Sequence, residues 1–235
     1  MLSRRAFCTC ASLTFASSLA SNAVHAADAC AVMTRERQQS VSPDDAINRL
    51  KEGNERFISG KTINCDLMAQ VKGTTSGQAP FATVVGCIDS RVPPELVFDQ
   101  RIGDMFCARV AGNFINTDII GSLEFATKVT GTPVVVVLGH SDCGAIKGAI
   151  DHVKLGNLTA MLANIEPAVK ATKASGTRDS KNKAFVQAVA ENNVKLGIEM
   201  LTKKSPIMKE LVAAKRLRIV GAMHDLATGR VSFMA

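Results

Sequence analysis

Phe81-Ala82-Thr83-Val84-Val85-Gly86 runs directly into Cys87-Ile88-Asp89-Ser90-Arg91, and Val134-Val135-Val136-Val137-Leu138 runs through Gly139 into His140-Ser141-Asp142-Cys143-Gly144. Each is a short apolar run closed by a polar cluster. That is how a strand covered on both faces reads, because neither side alternates with polar residues. Outward from these two strands, residues 105–110 and 217–222 read as further strands. Residues 231–234 read as a short one after the turn Ala227-Thr228-Gly229.

Helical patterns fill the spaces, over 118–129, 143–153, 157–171 and 183–201. Ser42-Pro43-Asp44-Asp45 is a helix start, with a capping serine, proline in the first turn and acids beside it. Ile47, Leu50 and Phe57 then mark an apolar stripe that ends near Gly60. Residues 61–80 read as loop with a short helix around 67–71. Strand–helix alternation predicts an α/β fold, a mostly parallel central sheet of about four parallel strands plus an edge strand, flanked by helices. In such sheets ligands bind beyond the carboxyl ends of the strands, where Cys87 and His140 both fall.

Two thiols and an imidazole are soft to borderline ligands that suit Zn2+. Cys87 comes from one strand end, and His140 and Cys143 from another. Three protein ligands leave a fourth tetrahedral position open, the arrangement of a catalytic rather than a structural zinc. Two thiolates place negative charge on the metal and make a bound water harder to ionise than three histidines would. A group that orients that water is therefore needed. Asp89 stands two residues past a ligand, and Arg91 can grip its carboxylate with two hydrogen bonds and keep it ionised. A His-x-x-Cys pair alone is weak, but the whole set together is specific.

The amino terminus reads as an address. Ser3-Arg4-Arg5-Ala6-Phe7 is followed by no charge until Asp28, and Val24-His25-Ala26 offers small residues for cleavage after Ala26. Residues 1–26 are expected to be a signal peptide, similar to the twin-arginine class that exports folded proteins. A retained membrane anchor is the alternative, but so many Ser and Thr make a poor span, and no stable membrane insertion is expected. Residues 27–41 are expected to be a flexible mature amino terminus, and 42–235 a single catalytic domain. The protein is thus expected to be periplasmic or secreted, and export in the folded state would let zinc be loaded before transport. Cys8 and Cys10 leave with the signal, and Cys107 reads as a core residue. Cys30 and Cys65 could pair in an oxidising compartment or remain free thiols.

Removing residues 1–26 leaves 26 basic against 21 acidic side chains, with no basic run and no Trp or Tyr among the aromatics. That small surplus suits a small anion and argues against nucleic acid as a partner.

These residues resemble the β-class carbonic anhydrase family. The resemblance rests on C-x-D-S-R-V-P-P-E at 87–95, F-D-Q at 98–100, G-D-x-F at 103–106, R-x-A-G-N at 109–113, S-x-E-F-A at 122–126 and G-H-x-x-C-G-A at 139–145. It continues to Gly221-Ala222-Met223-His224-Asp225-Leu226 and covers 42–235. It implies zinc held by Cys87, His140 and Cys143, with an Asp89/Arg91 dyad orienting zinc-bound hydroxide for attack on carbon dioxide, giving bicarbonate and a proton. Asp89 would also be a fourth metal ligand in a closed state. Gln78, Phe106, Val110 and Gly144 match residues that line the substrate pocket. The resemblance implies a homodimer or tetramer with that pocket at the dimer interface. Regulation by a second bicarbonate, which uses a Trp–Arg–Tyr set in some members, is implied to be absent. His224 reads as a structural residue near the last strand, with proton shuttling as the alternative. A carbon disulfide or carbonyl sulfide hydrolase on the same fold and a non-catalytic zinc-binding protein are the competing functions.

Overall fold

The computed structural model describes residues 30–173 and 175–234. The expected signal peptide, residues 1–26, lies outside the described residues. Five strands form one sheet: β1 (Ala82–Gly86), β2 (Met105–Arg109), β3 (Val134–His140), β4 (Arg218–His224) and β5 (Val231–Phe233), in the order β2-β1-β3-β4-β5. The first four are parallel and β5 is an edge strand, as the sequence predicts, and β5 runs antiparallel to β4.

Strand β3 explains the two-sided core. Val135 and Val137 pack into one apolar cluster, whereas Val134, Val136 and Leu138 pack into the other, and all five are fully buried. Period-2 alternation in an all-apolar strand sends side chains to both faces, so each face needs a helical cover. On one face lies α2 (Pro43–Ile58), through Ala46, Ile47 and Leu50. The other face carries α6 (Gly144–Ile150), α7 (Gly156–Leu162), α8 (Glu166–Ala171), α9 (Lys183–Lys204) and α10 (Pro206–Ala213). Helix α2 starts where expected: the Ser42 hydroxyl accepts from Asp45 N at 3.1 Å, and the Asp45 carboxylate accepts from Ser42 N at 3.3 Å.

Several boundaries differ from expectation for identifiable reasons. The expected helix over 157–171 is two helices, α7 and α8. Pro167, in the first turn of α8, cannot donate to a preceding carbonyl and would clash with it in a continuous helix. The expected helix over 118–129 is α5 (Thr117–Glu124) running into a single π turn (Phe125–Val129), closed by Thr130 N donating to Phe125 O. The hydroxyls of Thr127 and Thr130 donate to Leu123 O and Ala126 O there, competing for helix carbonyls. The helix over 143–153 is shorter, because His152 takes φ +53 just after α6 ends. Helix α3 (Leu67–Thr74) runs longer than predicted. A short α4 (Pro94–Val97) and the Ser205-capped α10 were not predicted.

The expectation of a flexible segment over 27–41 fails over its described part. Residues Arg35–Gln39 form α1, and buried Gln38 donates to Pro80 O at 2.6 Å and to Thr130 O at 2.9 Å. Cys30 is joined to Cys65 in a disulfide. These ties are polar and covalent, so they leave no trace in apolar periodicity.

Candidate metal centre

The chain makes β1, moves outward to β2, then crosses back over β1 to make β3 on its other side. Strand order therefore reverses between β1 and β3, and a crevice opens at their carboxyl ends. Cys87 directly follows β1, His140 ends β3, and Cys143 immediately precedes α6. The two Sγ atoms and the His140 ring nitrogen lie within 4.8 Å of one another, and all three residues are buried. Ligands around a tetrahedral zinc stand roughly 3.5–3.8 Å apart, so the cluster needs only small movements to close on an ion.

The imidazole is prepared for a metal. His140 Nδ1 lies 2.9 Å from Ser141 O, which assigns the proton to Nδ1. That leaves the Nε2 lone pair aimed into the cluster, buried and without a hydrogen-bond partner. An orphaned buried acceptor beside two thiols fits a metal ligand far better than a core histidine. The thiols are electrostatically linked. The Cys143 thiol donates to Cys87 and holds it well below the usual thiol value, with the Gly112 amide assisting. Cys143 is driven upward by that same partnership and by its burial. A cation is what allows both to ionise together.

Around this cluster runs a polar shell. Gly112 N donates to Cys87 Sγ at 3.2 Å, and Asn193 Nδ2, from α9, donates to Gly112 O at 2.8 Å. Gly112 has φ +79, and a Cβ there would stand 2.5 Å from Ile165 Cδ1. Only glycine brings its amide to the sulfur in this conformation.

Among the described residues, the Asp89 carboxylate takes its hydrogen bonds from Arg91. Its Oδ1 accepts from Arg91 N at 3.0 Å and Arg91 Nε at 2.9 Å, and its Oδ2 accepts from Arg91 Nη2 at 2.7 Å. The Arg91 fork holds the carboxyl well below the usual carboxylate range. Oδ2 stands 4.0 Å from His140 Nε2, so the carboxylate faces the ligand cluster. Arg109, at the end of β2, donates from Nε to Cys87 O at 2.9 Å and from Nη2 to Asp89 O at 2.8 Å.

Four sequence-derived pocket residues divide into two pairs. Gly144 follows Cys143 and is exposed, and half-buried Val110 donates its N–H to Gly86 O at 3.0 Å, so both stand at the cluster's end of the sheet. Phe106 pairs with Thr83, four residues before Cys87 and so roughly 13 Å along the strand. Phe106 packs edge-on to Phe125, beside a cavity of about 490 Å³. Gln78 is exposed and precedes β1 altogether. The protomer therefore does not bring Gln78 and Phe106 to its own cluster. His224 ends β4 in register with His140 and is buried, and that burial holds its ring below the usual histidine range. Cys107 is half-buried, and burial raises its thiol.

Residues 82–231 match the family model described as carbonic anhydrase. The chain is 35% identical to carbonic anhydrase 2 of Mycobacterium tuberculosis over 193 residues, which cover 81% of this chain and 92% of that one. It superposes on the β-carbonic anhydrase CafA of Aspergillus fumigatus with a TM-score of 0.64 and 25% identity, covering 81% of this chain and 89% of that one. The chain belongs to the β-class carbonic anhydrase family. A solved tetrameric β-carbonic anhydrase from Sordaria macrospora is also similar, at TM-score 0.61 and 27% identity, over 70% of this chain and 85% of that one.

Against this family frame, Gly112 and Arg109 are supporting residues that sequence reasoning quoted within R-x-A-G-N without giving them a task. Asn193 had no signal at all, lying on the inner face of a long helix.

Proposed function

We propose that this β-class carbonic anhydrase catalyses the reversible hydration of carbon dioxide to bicarbonate and a proton. The observation that carries the reading is the Asp89 carboxylate, held by Arg91 with acceptor capacity left on Oδ2, and turned toward a buried Cys87–His140–Cys143 cluster. The cluster would hold Zn2+, which supplies Lewis acidity toward a water in its remaining position. Asp89 accepts a hydrogen bond from the attacking water and fixes its direction. Arg91 keeps that carboxylate ionised, and its fork prevents rotation away from the crevice. Val110 and Gly144 present apolar surface and bare backbone to an apolar substrate. The product anion leaves toward solvent, and the released proton passes to buffer.

Gln78 and Phe106 would complete the pocket from a second copy of the chain. Their distance from the protomer's own cluster supports that reading, since a site built only within one chain would leave them idle. We also assign the chain to an exported, oxidising compartment. The Cys30–Cys65 disulfide supports this, because such bonds persist outside the reducing cytosol.

Stopped-flow carbon dioxide hydration by the chain from Ala27, with zinc counted on the same sample, tests the reading. Hydration should be fast and rise with pH, and Asp89→Asn should lose it while keeping the metal. A zinc-replete wild-type chain inactive up to about pH 9, near the aqueous zinc-water pKa, would overturn the assignment. Turnover of carbon disulfide by that same sample would then point to the related hydrolase, and none to a zinc-binding protein.

A further inference from the structure

Arg109 leaves the sheet beside the metal centre but touches none of the three ligand atoms. It closes β2, pairs with Gly86 in the parallel ladder, and turns its guanidinium over the start of the 87–92 loop. One planar group spans two carbonyls, Cys87 O at 2.9 Å and Asp89 O at 2.8 Å. Those carbonyls belong to the residue that offers a metal ligand and to the residue that offers the carboxylate. Between them Ile88 is largely exposed and anchors nothing. The other bond that fixes Asp89 O comes from Val92 N at 3.0 Å. Arg109 is the side chain that ties the carbonyls at both ends of the Cys87–Asp89 step to the neighbouring strand.

We propose that Arg109 is a positioning residue: it clamps the Cys87–Asp89 backbone and so sets where the Asp89 carboxylate stands relative to the metal centre. The two arginines divide the work. Arg91 fixes the rotation of the carboxylate, and Arg109 fixes the location of the backbone that carries it. A guanidinium suits this task because its donors are coplanar and rigidly spaced, so one residue can hold two acceptors at once. A lysine carries its three donors on one nitrogen at the end of a flexible stem, so it lacks the fixed spacing that matches both carbonyls. The inference rests on Asp89 being the group that orients the attacking water.

The test uses zinc-loaded wild type, Arg109→Gln, Arg109→Lys and Asp89→Asn, each with zinc counted. Stopped-flow kinetics is paired with amide hydrogen exchange over residues 87–92, measured with zinc and after its removal. Arg109→Gln should lose about 10- to 100-fold in kcat, as loss of an outer-shell partner does. KM should stay unchanged and zinc stay at the wild-type level. Arg109→Lys should fall between. Exchange should rise over 87–92, in both metal states, while the strands stay protected. Full kcat in Arg109→Gln, unchanged exchange over 87–92, or exchange rising throughout the sheet with zinc lost would overturn the clamp. If Asp89→Asn keeps full activity, the role assigned to Asp89 fails. Exchange over 87–92 in the Arg109 variants still decides whether the clamp exists.

Discussion

Replacing Gly112 with alanine strikes the metal centre from outside its ligands. The residue sits at φ +79, a conformation that costs an L-residue about 1–2 kcal/mol. Its new Cβ would stand 2.5 Å from Ile165 Cδ1 and 3.1 Å from Ala145 Cβ, inside van der Waals contact. Relieving such crowding in a packed core costs about 1–3 kcal/mol more. The sum, about 2–5 kcal/mol, corresponds to a fall of roughly 4–20 °C in Tm for a chain of this length. Any shift of the backbone also draws the Gly112 amide from Cys87 Sγ, which should weaken zinc retention about 10- to 100-fold. Thermal melts and competition with a chelator measure the two effects. Gly60→Ala is the control, since Gly60 has φ +67 but open space around it and should lose only the conformational part. A Gly112→Ala chain that melts with Gly60→Ala and holds zinc like the wild type would refute the reasoning.

Other outcomes follow from the same geometry. Asp89→Asn should lower kcat/KM by about 10²–10⁴-fold in stopped-flow assays, with zinc retained. Cys65→Ser should cost about 2–4 kcal/mol in denaturant unfolding, because the bond closes a loop of 35 residues, yet leave zinc content unchanged. Asp45→Asn should destabilise at neutral pH. The Ser42 cap holds the Asp45 carboxyl below its ordinary value, so its stabilisation is present above about pH 4 and fades as pH falls further. Melts of both chains from pH 7 to pH 3 should therefore converge, and a constant gap would contradict the capping argument. Acidification should also release zinc, because both thiolates and the imidazole must bind it deprotonated; a dialysis series that retains metal at pH 4 would count against a Cys₂His site.

Much of the architecture was legible because it is written in apolar runs. Val134–Val137 is short and wholly β-branched, which favours a strand covered on both faces, and the polar clusters after it and after Gly86 announced the crevice. The ligand set was legible because cysteine and histidine carry unusual chemistry at strand ends. What escaped notice is held by groups that sequence does not mark. Gln38 ties α1 through two backbone carbonyls, and Arg109 clamps backbone rather than side chains. The break at Pro167 was visible in principle, but the apolar period on either side of it read as continuous. Gln78 and Phe106 matched a family pattern, yet a single chain leaves them at the other end of the sheet.

The reversal of strand order between β1 and β3 also sets an order of events during folding. Cys87 and His140 are more than fifty residues apart in sequence, and β2 with its following helix lies between them. Parallel neighbours of this kind meet only after the whole intervening crossover has been placed, a slow and entropically costly closure. Before that, His140 and Cys143 offer an ion just two donors, and Cys87 is elsewhere. The three-donor site exists only in the closed sheet, so a tightly retained zinc and a completed sheet go together. A chain threaded across a membrane unfolded would have to find its zinc on the far side. One exported in its folded state would bring the ion with it.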